Sequence, residues 1–451
     1  MTFNLRLEYQ TAYGEDLYVV VGTEKEKAYP MHYVSEGVWS VELKLPAVAE
    51  VVYRYEVRYG EQVVRKEWGD KHVLKVDKKA ANVRVLDRWY DMPNDRSFHS
   101  SMFTDGVFHR EKPKKVQDAA EGYLSINADI AVVRTSQHVV MVGEGKALGN
   151  WDVKKGVVMT DAGFPIWNAR IKAPKSAFAY KFVIVDSESG DVVAWQSGDN
   201  YYFSDAVREN EALVLAPVHP EFQMTPWRGA GVAIPVFSLR SKSSFGVGEF
   251  NDIRLMVDWA KLTGQSIIQI LPINDTTMTG TWQDSYPYNA NSTFALHPQF
   301  LHLPAVGTLK DKEAMARFEA LGKELNGLAE VDYERVNNAK NEYLRLIFAQ
   351  DGKKTLASKE FKAFMEANEE WLRPYAIFCA LRDEKGTPDF AQWGSMAKYT
   401  NAKETKYEKE HAEAVAYNYF VQYPLAKQLR EVRDYAHAHG VVLKGDIPIG
   451  I

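Results

Sequence analysis

From the start of the chain to about Trp89, apolar and polar residues alternate in short segments: Leu5 to Leu7, Leu17 to Val21, Val38 to Leu45 and Val51 to Val57. Gly14, Gly37 and Gly60 separate them. A period of two bounded by turn residues predicts strands, and their close spacing predicts an antiparallel sandwich or barrel. From Asp91 to about Gly122 the text turns polar, with a Pro-Asn-Asp run from Pro93 and a basic run from Lys112 to Lys115, and it reads as a linker. From Tyr123 to about Ala216 the β pattern returns. VVVGTEKEKAYP, VWSVEL, VYRYEV and VVRKEWGD in the first region are matched, in order and spacing, by VVMVGEGKALGNWD, IWNARI, AYKFVI and VVAWQSGD in the second. Landmarks repeated in order predict two copies of one module.

After a Pro-rich connection from Pro217 to Pro226 the grammar changes. GVAIPVF (Gly231 to Phe237), SIIQILPI (Ser266 to Ile273) and VVLKGDIPI (Val441 to Ile449) read as buried strands. Ile253, Met256, Val257 and Ala260 recur at helical spacing between the first two, with Gly264 as the stop. Ala, Glu, Lys and Leu dominate from about Leu309 to His439, which predicts several helices. The last carries an apolar stripe of Leu425, Leu429, Val432 and Ala436 before Gly440. Strand, helix, strand, helices, strand opens a parallel α/β fold. The chain is therefore expected to be multidomain: all-β sandwich modules at 1–90 and 123–216, linkers at 91–122 and 217–228, and an α/β region at 229–451 whose helical subdomain spans about 309–439.

A net charge of -5 over 451 residues is small, so nothing favours nucleic acid or an anionic membrane as a partner. No apolar run reaches the ~18 residues a membrane span needs. A single cysteine, Cys379, excludes an intrachain disulfide, and MTFNLRLEYQ lacks the basic cap and apolar core of a signal peptide, so a cytoplasmic location is expected. Neither metal-ligand spacings nor a Gly-rich phosphate loop occur, which implies no cofactor and no metal. The oligomeric state is left open.

Trp151 in LGNWD and Trp195 in AWQSGDN sit in turn-like contexts outside any alternating strand. They are either solvent-facing platforms or core packing. Flat aromatics hold sugar rings by stacking on their C–H faces while polar groups bond the hydroxyls, and Lys181 and Asn200 could supply those polar groups. Trp167, inside a strand, reads as core. GNWD, YKF and AWQSGDN in the second module, and YGEDLYVVVG in the first, resemble the starch-binding modules of carbohydrate-binding family 20. That resemblance implies one glucan site at Trp151, Trp195 and Lys181 and another at Tyr13. The first module keeps Trp68 but has His32 and Arg54 where the other platform tryptophan and the lysine would stand, and the second has Gln137 where the tyrosine would stand. The modules are thus expected to divide the work, the first binding through Tyr13 and the second through Trp151 and Trp195.

SLRSKSSFGVGEFNDI, QILPINDT, SYPYNANSTFALHPQFL, WLRPYAIFCALRDEKG and QLREVRDYAHAHGVVLKGDIPIG follow one another from Gly229 to Ile451. The series resembles the amylomaltases, or 4-α-glucanotransferases. It implies that 229–451 is the first part of a (β/α)8 barrel with a helical insertion, and that its substrates are α-1,4-glucans such as malto-oligosaccharides, starch or glycogen. Function in such barrels sits at the C-terminal ends of strands. Asp446 ends a buried strand and either contacts substrate or forms a structural ion pair, and Asp275 poses the same choice more weakly. Tyr288 in SYPYN matches the family's sugar-contacting tyrosine, loop packing being the alternative, and Ser238 and Arg240 lie in a loop that resembles the family's sugar-positioning loop. Cys379 lies on an apolar helix face and reads as core.

Retaining transglycosylation uses a carboxylate nucleophile and a carboxylic acid about 5–5.5 Å apart. The family's Arg-x-Asp nucleophile motif belongs to a fourth strand, and none follows GDIPI here, so the three catalytic carboxylates are expected to be absent and the chain to be a truncated form. Three strands leave an open sheet edge, so the C-terminal part is expected to be marginal by itself. A non-catalytic starch-binding fragment is the alternative reading. A glucan phosphatase is discarded, because its Cys-x5-Arg loop would need arginine where Lys385 stands.

Overall fold

Strands recur through the first 220 residues, where the alternation places them: Thr2–Glu8, Glu15–Val21, Val38–Lys44 and Glu50–Tyr59 fall on the four expected segments. The computed structural model describes residues 1–23, 25–110, 117–224 and 227–449. The chain divides into two units, Met1–Trp227 and Arg228–Ile451.

The first unit contains both β-modules, built alike. In each, two long antiparallel strands form the centre of a five-stranded sheet: Glu15–Val21 with Glu50–Tyr59, and Gln137–Gly143 with Phe178–Asp186. Each five-stranded sheet packs against its half of one shared eight-stranded sheet. That sheet runs Thr160–Gly163, Ile166–Lys172, Tyr123–Asp129, Ala212–Val218, Asn82–Arg88, Thr2–Glu8, Val38–Lys44, His32–Ser35. The modules meet where Asn82–Arg88 and Ala212–Val218 pair in parallel, with Ala212 opposite Val83 and Leu215 opposite Leu86. Phe3, Leu5, Leu17, Tyr55 and Val83 fill one core. Leu124, Ile126, Met141, Phe182 and Trp167 fill the other, and the Trp167 indole N–H donates to the Ile130 carbonyl at 3.1 Å.

The polar stretch 91–122, expected as a linker, is folded against this unit over its described residues. Phe98, Phe103 and Phe108 form an aromatic cluster, with ring centroids 4.7 Å apart for the first pair and 5.5 Å for Phe103 and Phe108; Trp227 meets Phe103 edge-on. Phe103 and Phe108 are buried. Arg110 donates to the carbonyls of Gln137 and Val133, both at 2.9 Å. The apolar residues spaced through the stretch explain the difference, since a tether would leave three phenylalanines in water. The basic run Lys112 to Lys115 lies outside the described residues, as does Pro226 in the expected 217–228 connection.

In the second unit three parallel strands, Gly231–Ala233, Ile267–Gln269 and Val442–Lys444, align Gly231 with Ile267 and Ile267 with Val442. Each is shorter than the apolar runs suggested. Pro235, Pro272 and Pro448 supply no N–H to a ladder and close each strand within a few residues. Ile447 and Ile449, expected in the third strand, are consequently exposed. Among the described residues α1 (Asp252–Leu262) lies between the first and second strands, and α2 (Leu303–Val306), α3 (Lys312–Asn326), α4 (Tyr333–Leu356), α5 (Lys359–Lys385), α6 (Asn401–Glu410) and α7 (Ala412–Ala438) lie between the second and third. Ile253, Val257 and Ala260 of α1 and Leu425, Val432 and Ala436 of α7 are buried against the strands. Gly264 and Gly440 follow these two helices with φ of 71°, the left-handed stop that glycine adopts without strain. Among the described residues no helix is long and apolar enough to cross a membrane.

Buried charge in the first unit centres on His72. Burial alone would lower its pKa, but Asp87 and Glu67 outweigh this and hold the imidazole at about 9. Its Nε2 lies 3.0 Å from Glu67 and its Nδ1 3.7 Å from Asp87, which also accepts from the hydroxyls of Tyr53 at 2.6 Å and Tyr55 at 2.9 Å. A folded-state pKa raised above the ordinary 6.5 stabilises fully below pH 6.5, and the contribution is lost as pH rises through about 9. The difference corresponds to ~3 kcal/mol. Thermal melts of the chain from pH 6 to 9.5 should therefore fall more steeply than those of H72Q; parallel curves would refute a charged His72.

Candidate functional site

On the outer face of the sheet centred on Gln137–Gly143 and Phe178–Asp186, Val140, Val142, Val183 and Val185 make an apolar patch separate from the core below. Trp151 packs on it. The turn that delivers Trp151 is tight: Asn150 and Trp151 have φ of 49° and 68°, and the Trp151 N–H donates to the Gly143 carbonyl at 3.0 Å. Gly149 makes this possible, since a Cβ there would lie 2.7 Å from the Asp152 carbonyl oxygen. Trp195 stands opposite Val183 in the neighbouring strand and leaves 42% of its surface exposed. Lys181, opposite Val142, lies on the same face, and its ammonium donates to the Gly198 carbonyl at 2.7 Å. Asn200 is exposed at the end of the same turn. The structure thus gathers Trp151, Trp195 and Lys181 around one partly exposed apolar surface.

The equivalent face of the first module is built differently. Arg54 is clamped by both oxygens of Glu26, at 2.6 and 2.8 Å, and Lys71 reaches the same carboxylate at 2.6 Å. His32 is exposed on an edge strand. Arg54 and Lys71 are thus both engaged by the Glu26 carboxylate. Tyr13 projects fully into solvent next to Gly14, whose backbone lies against the ring of the exposed Tyr59. Trp68 is elsewhere: it stacks on Tyr90 with centroids 6.1 Å apart, and lines a cavity of about 720 Å³ with Tyr53, His72, His99, Asn127 and Asn168. Gln137 is buried, accepting from the Arg134 N–H at 3.1 Å.

In the second unit the Tyr288 hydroxyl donates to Asp446 at 2.9 Å. This hydrogen bond is the main reason the Tyr288 pKa is raised. The other Asp446 oxygen accepts from the Ile447 N–H at 2.9 Å. Asp446 follows the third strand and Tyr288 lies in the loop after the second, so the pair sits at strand C-terminal ends. Asp275 is placed differently. It is buried and accepts from Thr277 (N–H at 3.1 Å, hydroxyl at 2.7 Å), Asn291 at 3.1 Å and Tyr375 at 2.7 Å. Burial would raise its pKa, but nearby His297 and Arg382 and these donors lower it. With its lone pairs filled by the protein, Asp275 orders its loop. Arg240 is likewise committed, donating to the carbonyls of Leu328 at 2.8 Å and Ala329 at 3.3 Å just past α3, where the helix dipole favours a cation. Ser238 is exposed, with no side-chain hydrogen bond among the described residues. Cys379 is buried, its thiol pushed up to about 12.

Tyr375 and Arg382 were not singled out in the sequence. They share a face of α5 with Cys379, and Arg382 donates to the Thr277 carbonyl at 2.6 Å. A charged residue on an otherwise apolar helical stripe was the available signal. Both border a cavity of about 580 Å³ that also takes in Asp275 and His297.

The family model for 4-alpha-glucanotransferases of glycoside hydrolase family 77 matches residues 234–451, and the model for the family 20 starch binding domain matches residues 124–211. The chain is 33% identical over 491 aligned residues to the 4-alpha-glucanotransferase DPE2 of Oryza sativa subsp. japonica, covering 100% of this chain and 50% of that protein. It is 35% identical over 224 residues to a 4-alpha-glucanotransferase of Chlamydia muridarum, covering 49% of this chain and 41% of the relative. Among solved structures, an amylomaltase from Streptococcus agalactiae in complex with acarbose aligns at a TM-score of 0.41 and 22% identity, over 49% of this chain and 44% of that one. The chain spans about half the length of the curated relatives it matches. Residues 124–211 are a family 20 starch-binding domain, and residues 234–451 belong to the 4-alpha-glucanotransferase domain of glycoside hydrolase family 77.

Proposed function

We propose that these residues belong to a 4-α-glucanotransferase whose β-modules hold α-1,4-glucans while the α/β part takes one of their ends. In this reading the complete protein cleaves an α-1,4 bond by retaining double displacement and passes the glucosyl unit to a sugar 4-hydroxyl. The observation that carries the binding half is the exposed indole of Trp195 beside Trp151 and Lys181 on one apolar face. Tyr13 offers a second contact, on the first module. Its likeness to the starch-binding family rests on YGEDLYVVVG and on the repeated strand pattern.

The same reading takes residues 229–451 as the opening strands of a (β/α)8 barrel, with substrate contact at Asp446, Tyr288 and Ser238. The Tyr288–Asp446 hydrogen bond is what supports it, because it joins two strand ends where such barrels place their chemistry. Asp275 and Arg240 act through the loops they order. The catalytic carboxylates are taken to lie outside these 451 residues, and a cytoplasmic location is kept with the single buried cysteine in support.

Binding of maltoheptaose or amylose by the chain should weaken tenfold or more in W151A and in W195A, about 1.4 kcal/mol each, and less than twofold in H32A. The reverse ranking in calorimetry or affinity electrophoresis would refute the platform. Maltotriose disproportionation, followed as glucose release, should be absent in the 451-residue chain and present in the complete protein. There D446N should lower kcat/KM by a hundredfold or more and Y288F by about tenfold, as losses of ~3 and ~1.4 kcal/mol of transition-state stabilisation. Activity of the short chain would place a nucleophile among these residues, and an inactive complete protein would leave only the starch-binding reading.

A further inference from the structure

Asp95, His99, Asp129 and His219 are far apart in sequence, apart from the first two, and converge in the first unit. Asp129 ends the strand Tyr123–Asp129, and His219 directly follows Ala212–Val218. Those strands are parallel neighbours with Ala128 opposite Val218, so the two side chains emerge side by side. Asp95 and His99 come from the folded stretch after the first module, one helical turn apart around Arg96–His99. His219 Nε2 lies 3.1 Å from Asp95 Oδ1, and His99 Nε2 lies 3.5 Å from the same oxygen. On the far side of its ring, His219 Nδ1 lies 3.7 Å from Asp129 Oδ2.

These contacts are close without being hydrogen bonds. Asp95 Oδ1, His99 Nε2, Asp129 Oδ1 and His219 Nδ1 are all buried atoms with no aligned partner. Asp129 is 1% exposed, and its unsatisfied Oδ1 faces His99 Nε2 at 3.8 Å. Four unsatisfied buried polar atoms in one place are costly unless something fills the gap between them. A tetrahedral cation bound at ~2.1 Å spaces its ligand atoms ~3.4 Å apart, and the two measured separations from Asp95 Oδ1 bracket that figure. One donor atom from each of Asp95, His99 and His219 lies within 4.8 Å of the others. Two imidazoles and a carboxylate suit zinc and its neighbours better than calcium or magnesium, which prefer all-oxygen cages. A carboxylate behind a ligating imidazole, as Asp129 stands behind His219, is the usual way such a ring is oriented.

We propose that Asp95, His99 and His219 bind one divalent transition-metal ion of zinc's chemistry through Oδ1, Nε2 and Nε2, with Asp129 orienting His219. The ion would tie the stretch after the first module to the strand ends of the second, leaving a fourth position for water beside the cavity that Trp68 and His99 line. Without a cation, the competing state is an ion pair of His219 with the carboxylates of Asp95 and Asp129.

Calorimetry of the untagged, chelator-stripped 451-residue chain with zinc distinguishes the two. One equivalent should bind in the micromolar range or tighter, with H99Q, H219Q and the isosteric D95N each weakening it at least tenfold. D129N should cost ten- to a hundredfold, and H32Q, at a distant exposed histidine, should leave it unchanged. Cobalt should give visible bands of tetrahedral intensity that are lost in D95N, a readout that a purely structural role would not produce. No uptake of zinc or cobalt, or uptake equal in the parent and in D95N, H99Q and H219Q, would overturn the site and leave the ion pair.

Discussion

The parallel pairing of Asn82–Arg88 with Ala212–Val218 makes the first unit one body. Each strand is the last of its module, so joining them buries two edges that would otherwise stay open. Arg84 reinforces the seam across the modules, donating to Asp205 at 2.7 Å and to Glu211 at 2.8 Å. The stretch between the modules meets the end of this seam where Asp95 and His99 approach His219, while its phenylalanines pack on one another and on Trp227. The cavity lined by Trp68 and the cluster of Asp95, His99, Asp129 and His219 both arise along this join. The Trp151 and Trp195 face belongs to the second module's own sheet.

Buried charge is handled in two ways. Asp275 is saturated by protein donors. Lys340 is fully buried with its ammonium donating to Glu249 at 2.6 Å and to the carbonyls of Gln299 at 2.6 Å and Leu301 at 2.7 Å. Such groups hold loops, because burying a charge is tolerable only when its partners are complete. Lys181 and Asp446 are only partly engaged and partly open, and Trp195 and Tyr13 leave apolar surface in water. Incomplete satisfaction next to exposed aromatic surface is what separates the candidate binding residues from the structural ones.

Much of the architecture was legible in the sequence. Alternation placed the strands of both modules because a two-sided sheet writes its burial into a period of two, and the apolar stripes of α1 and α7 did the same at helical spacing. Glycine marked the ends of both helices. Strand length in the second unit was less legible, since a continuous apolar run does not show where a proline will end the ladder. The helical turns and aromatic cluster of the stretch 91–122, expected as a linker, were not legible, because its phenylalanines pack on one another and on Trp227, more than a hundred positions away from Phe103. At the sites, Trp151, Trp195 and Lys181 could be named from their local motifs, whereas the burial of Asp275 and the tethering of Arg240 could not.

The chain's own text determined what is local: which segments become strands, where helices stop, that a module occurs twice, and which aromatics sit in turns. Tertiary structure alone decided that the modules share a sheet, that Trp68 faces a cavity, that Tyr288 meets Asp446 across 158 positions, and that Asp95, His99, Asp129 and His219 converge. The reason is physical. Periodicity and turn chemistry act over a few residues, whereas strand pairing between modules and the partners of a buried charge are set by contacts whose sequence separation carries no local signature.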